Sequence, residues 1–284
     1  MNKAIILDID GVIIGSQKGI NSPHPHPEIM AKLKEVRAAG IPISLCTAKP
    51  AFAMEYEITN ANLDNPHIAD GGGLLVDNKG KVYEQFTLDR ELAKRIIKTL
   101  LEKDTYTELY TATDYYIQES QKSKITDDHT FVLGREPIIV DSLSEAANHL
   151  KITKIMQVVA DENHKPHGDE TFAPFDKEAT MAWAIHPPIL PLQFGVITAS
   201  GISKAKATAS IANILGVPLE NMLAVGDSTA DWKFMQLCGY TAAMGNATDE
   251  LKELVATKPP GHYMVGDHVD NNGLVAILDW YLQL

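Results

Sequence analysis

The sequence predicts an α/β fold: a parallel-sheet core into which a separate α+β domain is inserted. Three observations carry this. Short, largely apolar runs at residues 4–7, 41–46 and 222–225 end in polar residues or a glycine, as strands buried on both faces of a parallel sheet do. Amphipathic stretches alternate with these runs, the pattern of right-handed strand–helix–strand crossovers. Between residues 79 and 194 the texture changes to helix-like pieces mixed with strands that alternate polar and apolar residues. That alternation predicts an antiparallel sheet with one solvated face. Residues 1–78 and 195–284 are therefore assigned to the core and residues 79–194 to the insert.

The chain opens on its most informative stretch. The run 4–7 leads into Asp8-Ile9-Asp10-Gly11-Val12. Ligands of open α/β sheets bind beyond the carboxyl ends of the strands, so both acids stand where chemistry is expected. Neighbouring carboxylates resist joint ionisation unless a cation or a shared proton relieves them. Two such acids therefore ask for a divalent metal, with one as ligand or nucleophile and the other able to carry a proton. Taken alone, the same residues would also suit a turn.

Residues 13–27 read as a loop ending in Pro23-His24-Pro25-His26-Pro27, an extended exposed segment or, less simply, a metal clip. A helix over 28–39 closes at Gly40. The strand 41–46 delivers Thr47, which could donate its hydroxyl to an oxyanion or cap the helix expected over 52–60. Gly71-Gly72-Gly73 lacks the spacing of a dinucleotide fingerprint and reads as a tight turn before a strand at 74–76.

In the insert, helices are expected over 92–102 and 143–150, and strands over 108–110, 115–118, 155–159 and 181–186. Its edges near residues 78–80 and 187–191 carry glycine and proline, as linkers do. The α/β texture resumes at 193–198. Lys204 then opens a helix over 205–215, a poor electrostatic position that favours a role for its charge. The run 222–225 ends in Gly226-Asp227-Ser228-Thr229-Ala230-Asp231, where a helical turn would bring Asp231 to the side of Asp227. Asp227 and Ser228 are also good helix caps. Helices over 249–255 and 275–282 complete the core.

Composition bounds the rest. The 284 residues carry 45% hydrophobic and 22% charged residues, ample for a globular core. A formal net charge of −12 argues against nucleic acid or an anionic membrane as partner, because either needs a basic surface. The two cysteines, Cys46 and Cys238, lie in or beside apolar stretches and are expected to be buried free thiols. No basic region followed by a long apolar segment opens the chain and no apolar run reaches membrane-spanning length, so a cytoplasmic protein is expected.

Asp8, Asp10, Thr47, Lys204, Asp227 and Asp231 all fall at or just beyond strand ends on one sheet edge. In order and context these motifs resemble those of the haloacid dehalogenase (HAD) superfamily of phosphohydrolases. The long insert resembles the C2 cap arrangement of its Cof-like, type IIB branch, as do Met244-Gly245-Asn246-Ala247 and Asn272-Gly273-Leu274-Val275-Ala276. The resemblance implies a Rossmann-like HAD core with a C2-type cap and a Mg²⁺-dependent phosphatase acting on small phosphorylated metabolites such as sugar or polyol phosphates. It implies Asp8 as nucleophile and Asp10 as acid and base. Thr47 and Lys204 would hold the phosphoryl group. Mg²⁺ would be held by Asp8, the Asp10 carbonyl and Asp227, with Asp231 in support. The chain departs from the branch at Ala48-Lys49, where Gly-Arg is common, and at Ala230, where Asn is common. Two other readings stand beside it. One is a phosphosugar mutase of the same superfamily, whose first motif would look the same. The other is a phospho-accepting receiver module, which shares clustered acids, a Thr and a Lys but is much shorter and has its acceptor at a mid-chain strand end. Tyr115, Tyr116, Arg135 and His186 are candidate selectivity residues of the cap.

Overall fold

Strand Ala4–Leu7 is wholly buried and lies inside a five-stranded parallel sheet. The strand order is Tyr263–Val265, Tyr240–Ala243, Met222–Gly226, Ala4–Leu7, Ile43–Leu45. The computed structural model describes residues 2–284. Its chain divides into two compact units: one of Met1–Thr47, Met54–Tyr83 and Ser203–Leu284, the other of Ala48–Ala53 and Glu84–Ile202. Among the described residues no helix is long and apolar enough to cross a membrane.

In the first unit, helix Pro27–Ala38 buries Ile29, Met30, Leu33 and Val36, and Pro27 sits at its first turn, where a missing N–H costs nothing. The His26 side chain accepts from the Glu28 amide as its cap, and His24 stacks on Tyr56 at 3.8 Å. The Pro-His run thus starts a helix and packs a ring. Helix Lys204–Leu215 contributes Ala207 and Ile211 to a core shared with Ala4, Ile6, Met222 and Phe234. Cys46 and Cys238 are buried free thiols in that same core, as expected.

The second unit is built on a six-stranded sheet ordered Ala179–Ala184, Gln193–Ala199, Lys154–Val159, Tyr106–Tyr110, Tyr115–Gln118, Ile138–Val140. Only its last pair is parallel. Leu109, Ile155 and Ile197 meet helix Arg90–Glu102 on one face. Tyr110, Met156, Phe194 and Val196 pack on the other with Leu133 of helix Lys124–Leu133.

Five sequence expectations need correction here. The central strands are buried on both faces, because helix Lys124–Leu133, absent from the reading, and the turn at Pro187–Ile189 cover the second face. Strand Gln193–Ala199 does not resume the parallel core; it pairs antiparallel with Ala179–Ala184 and Lys154–Val159, inside the second unit. The prolines at 187–191 connect a hairpin, and Gly80 (φ 75°) turns the chain between Asp77 and Lys81. Glycine and proline mark chain reversals as readily as linkers. The helix expected over 143–150 is only Leu143–Ala146, and that over 52–60 splits into a 3₁₀ turn, Ala51–Met54, and helix Glu55–Asn60.

Candidate active site

Parallel register assembles the site. Leu7 pairs with Val225 on one side and Leu45 on the other, so the next residues, Asp8, Gly226 and Cys46, come into line, with Thr47 and Asp227 one step beyond. Two main-chain bonds continue the ladder past the strand ends: Asp8 N–H to the Val225 carbonyl at 3.1 Å and Cys46 N–H to Leu7 at 2.8 Å. A one-residue slip would turn these side chains to other faces, so burial of the apolar runs also fixes where the acids stand.

Lys204 reaches this edge from the first position of its helix. Its ammonium donates to Asp8 Oδ1 at 2.6 Å and to Asp231 Oδ1 at 2.9 Å. The unfavourable end of the helix dipole is thereby outweighed by two short charge-assisted bonds. Asp231 is positioned differently from the expectation of one helical turn. The chain after Ser228 enters a 3₁₀ turn, Thr229–Asp231, and Asp231 Oδ2 reaches back to accept from the Ser228 hydroxyl at 2.9 Å and the Ser228 and Asp227 amides at 3.2 and 3.3 Å. Capping and site-building are here one arrangement.

Carboxylate oxygens of Asp8, Asp227 and Asp231 all lie within 4.8 Å of one another. Their ionisation follows from that crowding. Burial pushes Asp8 well above its ordinary range; Lys204 opposes this, while the Asp231 and Asp227 charges add to it. Burial and the charge of Asp231 push Asp227 up to about 7. Burial also works against Asp231, but Lys204 and the Ser228 bonds hold it below the usual range. Burial disfavours the Lys204 ammonium as well, yet Asp231 and Asp8 keep it firmly charged. Three carboxylates against one ammonium form an electron-rich nest of hard oxygens, which fits a magnesium ion.

Asp10, half-buried, is close enough for its charge to act on Asp227. The turn after it approaches Asp227 so tightly that a Cβ on Gly11 (φ +80°) would stand 2.0 Å from Asp227 Oδ2. Thr47 is buried; its amide donates to the Ile68 carbonyl and its own carbonyl accepts from Gly71, both at 3.0 Å. Asn246 escaped the sequence reading as a site residue. Its amide group donates to the Gly11 carbonyl at 2.9 Å and accepts from the Val269 amide at 2.9 Å, tying the first motif to the C-terminal loop. The stretch Met244-Gly245-Asn246-Ala247 resembles the branch, but nothing in it assigns Asn246 this contact.

In the second unit Tyr115 is a core residue whose hydroxyl donates to the Arg135 carbonyl at 2.9 Å, and His186 packs against Phe194 at 4.8 Å. Arg135 lies over the Phe52 ring at 4.7 Å and donates to the Thr113 carbonyl at 2.6 Å. Tyr116 is half-buried.

A family model described as haloacid dehalogenase-like hydrolase matches residues 5–278. The chain belongs to this family. A similar curated relative is the 5-amino-6-(5-phospho-D-ribitylamino)uracil phosphatase YwtE of Bacillus subtilis, 26% identical over 99% of this chain and 98% of its own. Among solved structures, a haloacid dehalogenase-like hydrolase from Bacteroides thetaiotaomicron superposes with a TM-score of 0.82 at 15% identity, covering 98% of this chain and 99% of that one. The HAD subclass IIB sugar phosphatase BT4131 does so with 0.78 at 19% identity, covering 99% and 100%. The reading of this hydrolase as a HAD-superfamily phosphatase of α/β fold with an inserted cap is thus borne out by its family match, its relatives and its fold neighbours.

Proposed function

We propose that this hydrolase is a Mg²⁺-dependent phosphatase of small phosphorylated metabolites, sugar or polyol phosphates foremost, working through an aspartyl-phosphate. The observation that carries this reading is the Lys204 ammonium bonded to both Asp8 and Asp231, with the Asp227 carboxylate in the same cluster. Its support from relatives is that the similar proteins are phosphatases, one of a phosphorylated ribityl compound and one of sugars. A cytoplasmic setting belongs to the same proposal.

In this reading a carboxylate oxygen of Asp8 attacks phosphorus and the bond from phosphorus to the leaving oxygen breaks. Asp10 gives its proton to the departing alkoxide. The same carboxylate then takes a proton from water as that water attacks the phosphorus, and the bond to Asp8 breaks, releasing phosphate and restoring both acids. Thr47 and Lys204 hold the phosphoryl oxygens, and Lys204 lowers the repulsion between Asp8 and an anionic substrate. Magnesium, held by Asp8, the Asp10 carbonyl and Asp227 with Asp231 behind them, would supply the positive charge that keeps buried carboxylates ionised and offsets charge on the phosphoryl group. The −12 net charge makes that local cation necessary for any anionic substrate.

The test is Asp8→Asn, assayed with an aryl phosphate and Mg²⁺. Turnover should fall by about 10⁴-fold or more, as when a nucleophile is removed. Unchanged turnover in a folded variant sinks the assignment. Persistent labelling of Asp8 by a small phosphodonor without release of phosphate would point instead to a phospho-accepting module.

A further inference from the structure

We propose that Gly72 is a positioning residue for Lys204, an inference that rests on the phosphatase reading above. The 3₁₀ turn Asp70–Gly72 runs between the two phosphate-binding motifs. Asp70 is fully buried and takes a left-handed conformation (φ 51°), as does Gly71 (φ 66°), while Gly72 (φ 108°) lies in a region that side chains rarely enter. On one side the Gly71 amide donates to the Thr47 carbonyl at 3.0 Å. On the other, Gly72 lies flat on the peptide joining Ser203 to Lys204: a Cβ there would stand 2.5 Å from the Ser203 carbonyl oxygen and 3.1 Å from the Lys204 amide nitrogen.

That peptide is the start of the lysine's helix. The Ser203 carbonyl accepts from the Ala207 amide at 3.1 Å, and the Ser203 hydroxyl accepts from Lys206 at 3.2 Å. The first helical turn therefore has its place set by contact with a bare glycine backbone. Lys204 stands on that turn, and its reach to Asp8 is only 2.6 Å. Moving the peptide outward to admit a methyl group would withdraw the ammonium from Asp8. Gly71 provides the matched control. It too has positive φ, but nothing lies within 4 Å of its Cβ position. Alanine at either glycine strains the turn; alanine at Gly72 alone pushes on Lys204.

The experiment compares Gly72→Ala with Gly71→Ala in the full chain. Four quantities are read: thermal midpoint, kcat and KM with an aryl phosphate, inhibition by inorganic phosphate, and hydrogen exchange of the amides of residues 205–207. Both variants should lose thermal stability. Gly72→Ala alone should lose about 100-fold in kcat/KM, the scale of an ångström's misplacement. It should also bind inorganic phosphate more weakly and exchange faster at Ala207. A purely structural role would lower the active fraction and leave KM and phosphate inhibition unchanged, which overturns the proposal, as does equal damage from Gly71→Ala. If Gly72→Ala does not fold, Gly72→Asn carries the same Cβ on a residue that better tolerates positive φ, and the same outcomes apply. Should the wild-type protein hydrolyse no phosphate ester, the functional reading fails on its own. The exchange and phosphate-binding comparison then still decides for or against the brace.

Discussion

In the first unit three carboxylates, Asp8, Asp227 and Asp231, gather at the Lys204 ammonium. In the second, Glu108 is equally buried but is met on both oxygens: His129 Nδ1 lies 2.9 Å from one, and the Tyr110 hydroxyl donates to the other at 2.5 Å. The first cluster sets three acids against one ammonium, and burial raises the pKa of two of them, Asp8 and Asp227. The second meets both oxygens of its one carboxylate with donors, although the other ring nitrogen of His129, Nε2, is buried with no hydrogen-bond partner. A buried carboxylate met on both oxygens rigidifies a core, whereas a cluster left electrostatically incomplete is poised to take a ligand. The contrast separates a candidate site from a structural pair without reference to any relative.

The largest expected effect comes from breaking the incomplete cluster. Lys204→Met removes the ammonium that bonds both Asp8 and Asp231. Activity should fall by about 10³-fold, the scale of losing one electrostatic contact to the transition state. The thermal midpoint of the metal-free protein should drop, with added Mg²⁺ recovering part of it. A midpoint unmoved by both changes would contradict the claim that repulsion among the acids is held in check by that lysine.

Breaking the buried pair should act on stability instead. Glu108→Gln is expected to cost about 3 kcal/mol in urea denaturation, because it leaves a buried donor mismatched. Replacing Glu108 and His129 together by leucine should cost less than the sum of the single changes. Additive costs would show that the pair is not coupled.

The smallest effect sharpens the comparison through pH. Asp227, raised to about 7 from an ordinary 3.8, binds a proton in the folded state where the unfolded chain does not. Folded protein therefore holds more protons between these values, and metal-free stability should fall as pH rises from about 4 to 7. Asp8 works in the same direction. Thermal midpoints across that window should show the slope in the metal-free protein, reduced by Asp227→Asn and flattened by Mg²⁺. A slope unchanged by both would mean that another group governs it.

Much of the first unit was legible because its logic is local. Apolar runs long enough to be buried on both faces read as parallel strands, and each ends in the polar residues that the sheet edge requires. Gly11 and the acids beside it carry their meaning in a few adjacent positions. The second unit was less legible. Helix Lys124–Leu133 presents Thr126, His129 and Leu133 to the interior, too polar a stripe to stand out by periodicity. Strand Gln193–Ala199 is apolar enough to pass for a parallel core strand, and only its partners decide otherwise.

From residues alone came the strand ends, the clustering of acids, threonine and lysine at one edge, and the family those motifs resemble. Tertiary structure alone decided that Asp231 reaches its neighbours through a capping turn, that Asn246 clasps the loop at Gly11, and that Gly72 lies against the peptide before Lys204. The division has a physical basis. Hydrophobic periodicity and short motifs are written along the chain, whereas contacts between residues as far apart as Gly11 and Asn246 exist only once the sheet has brought its edges together.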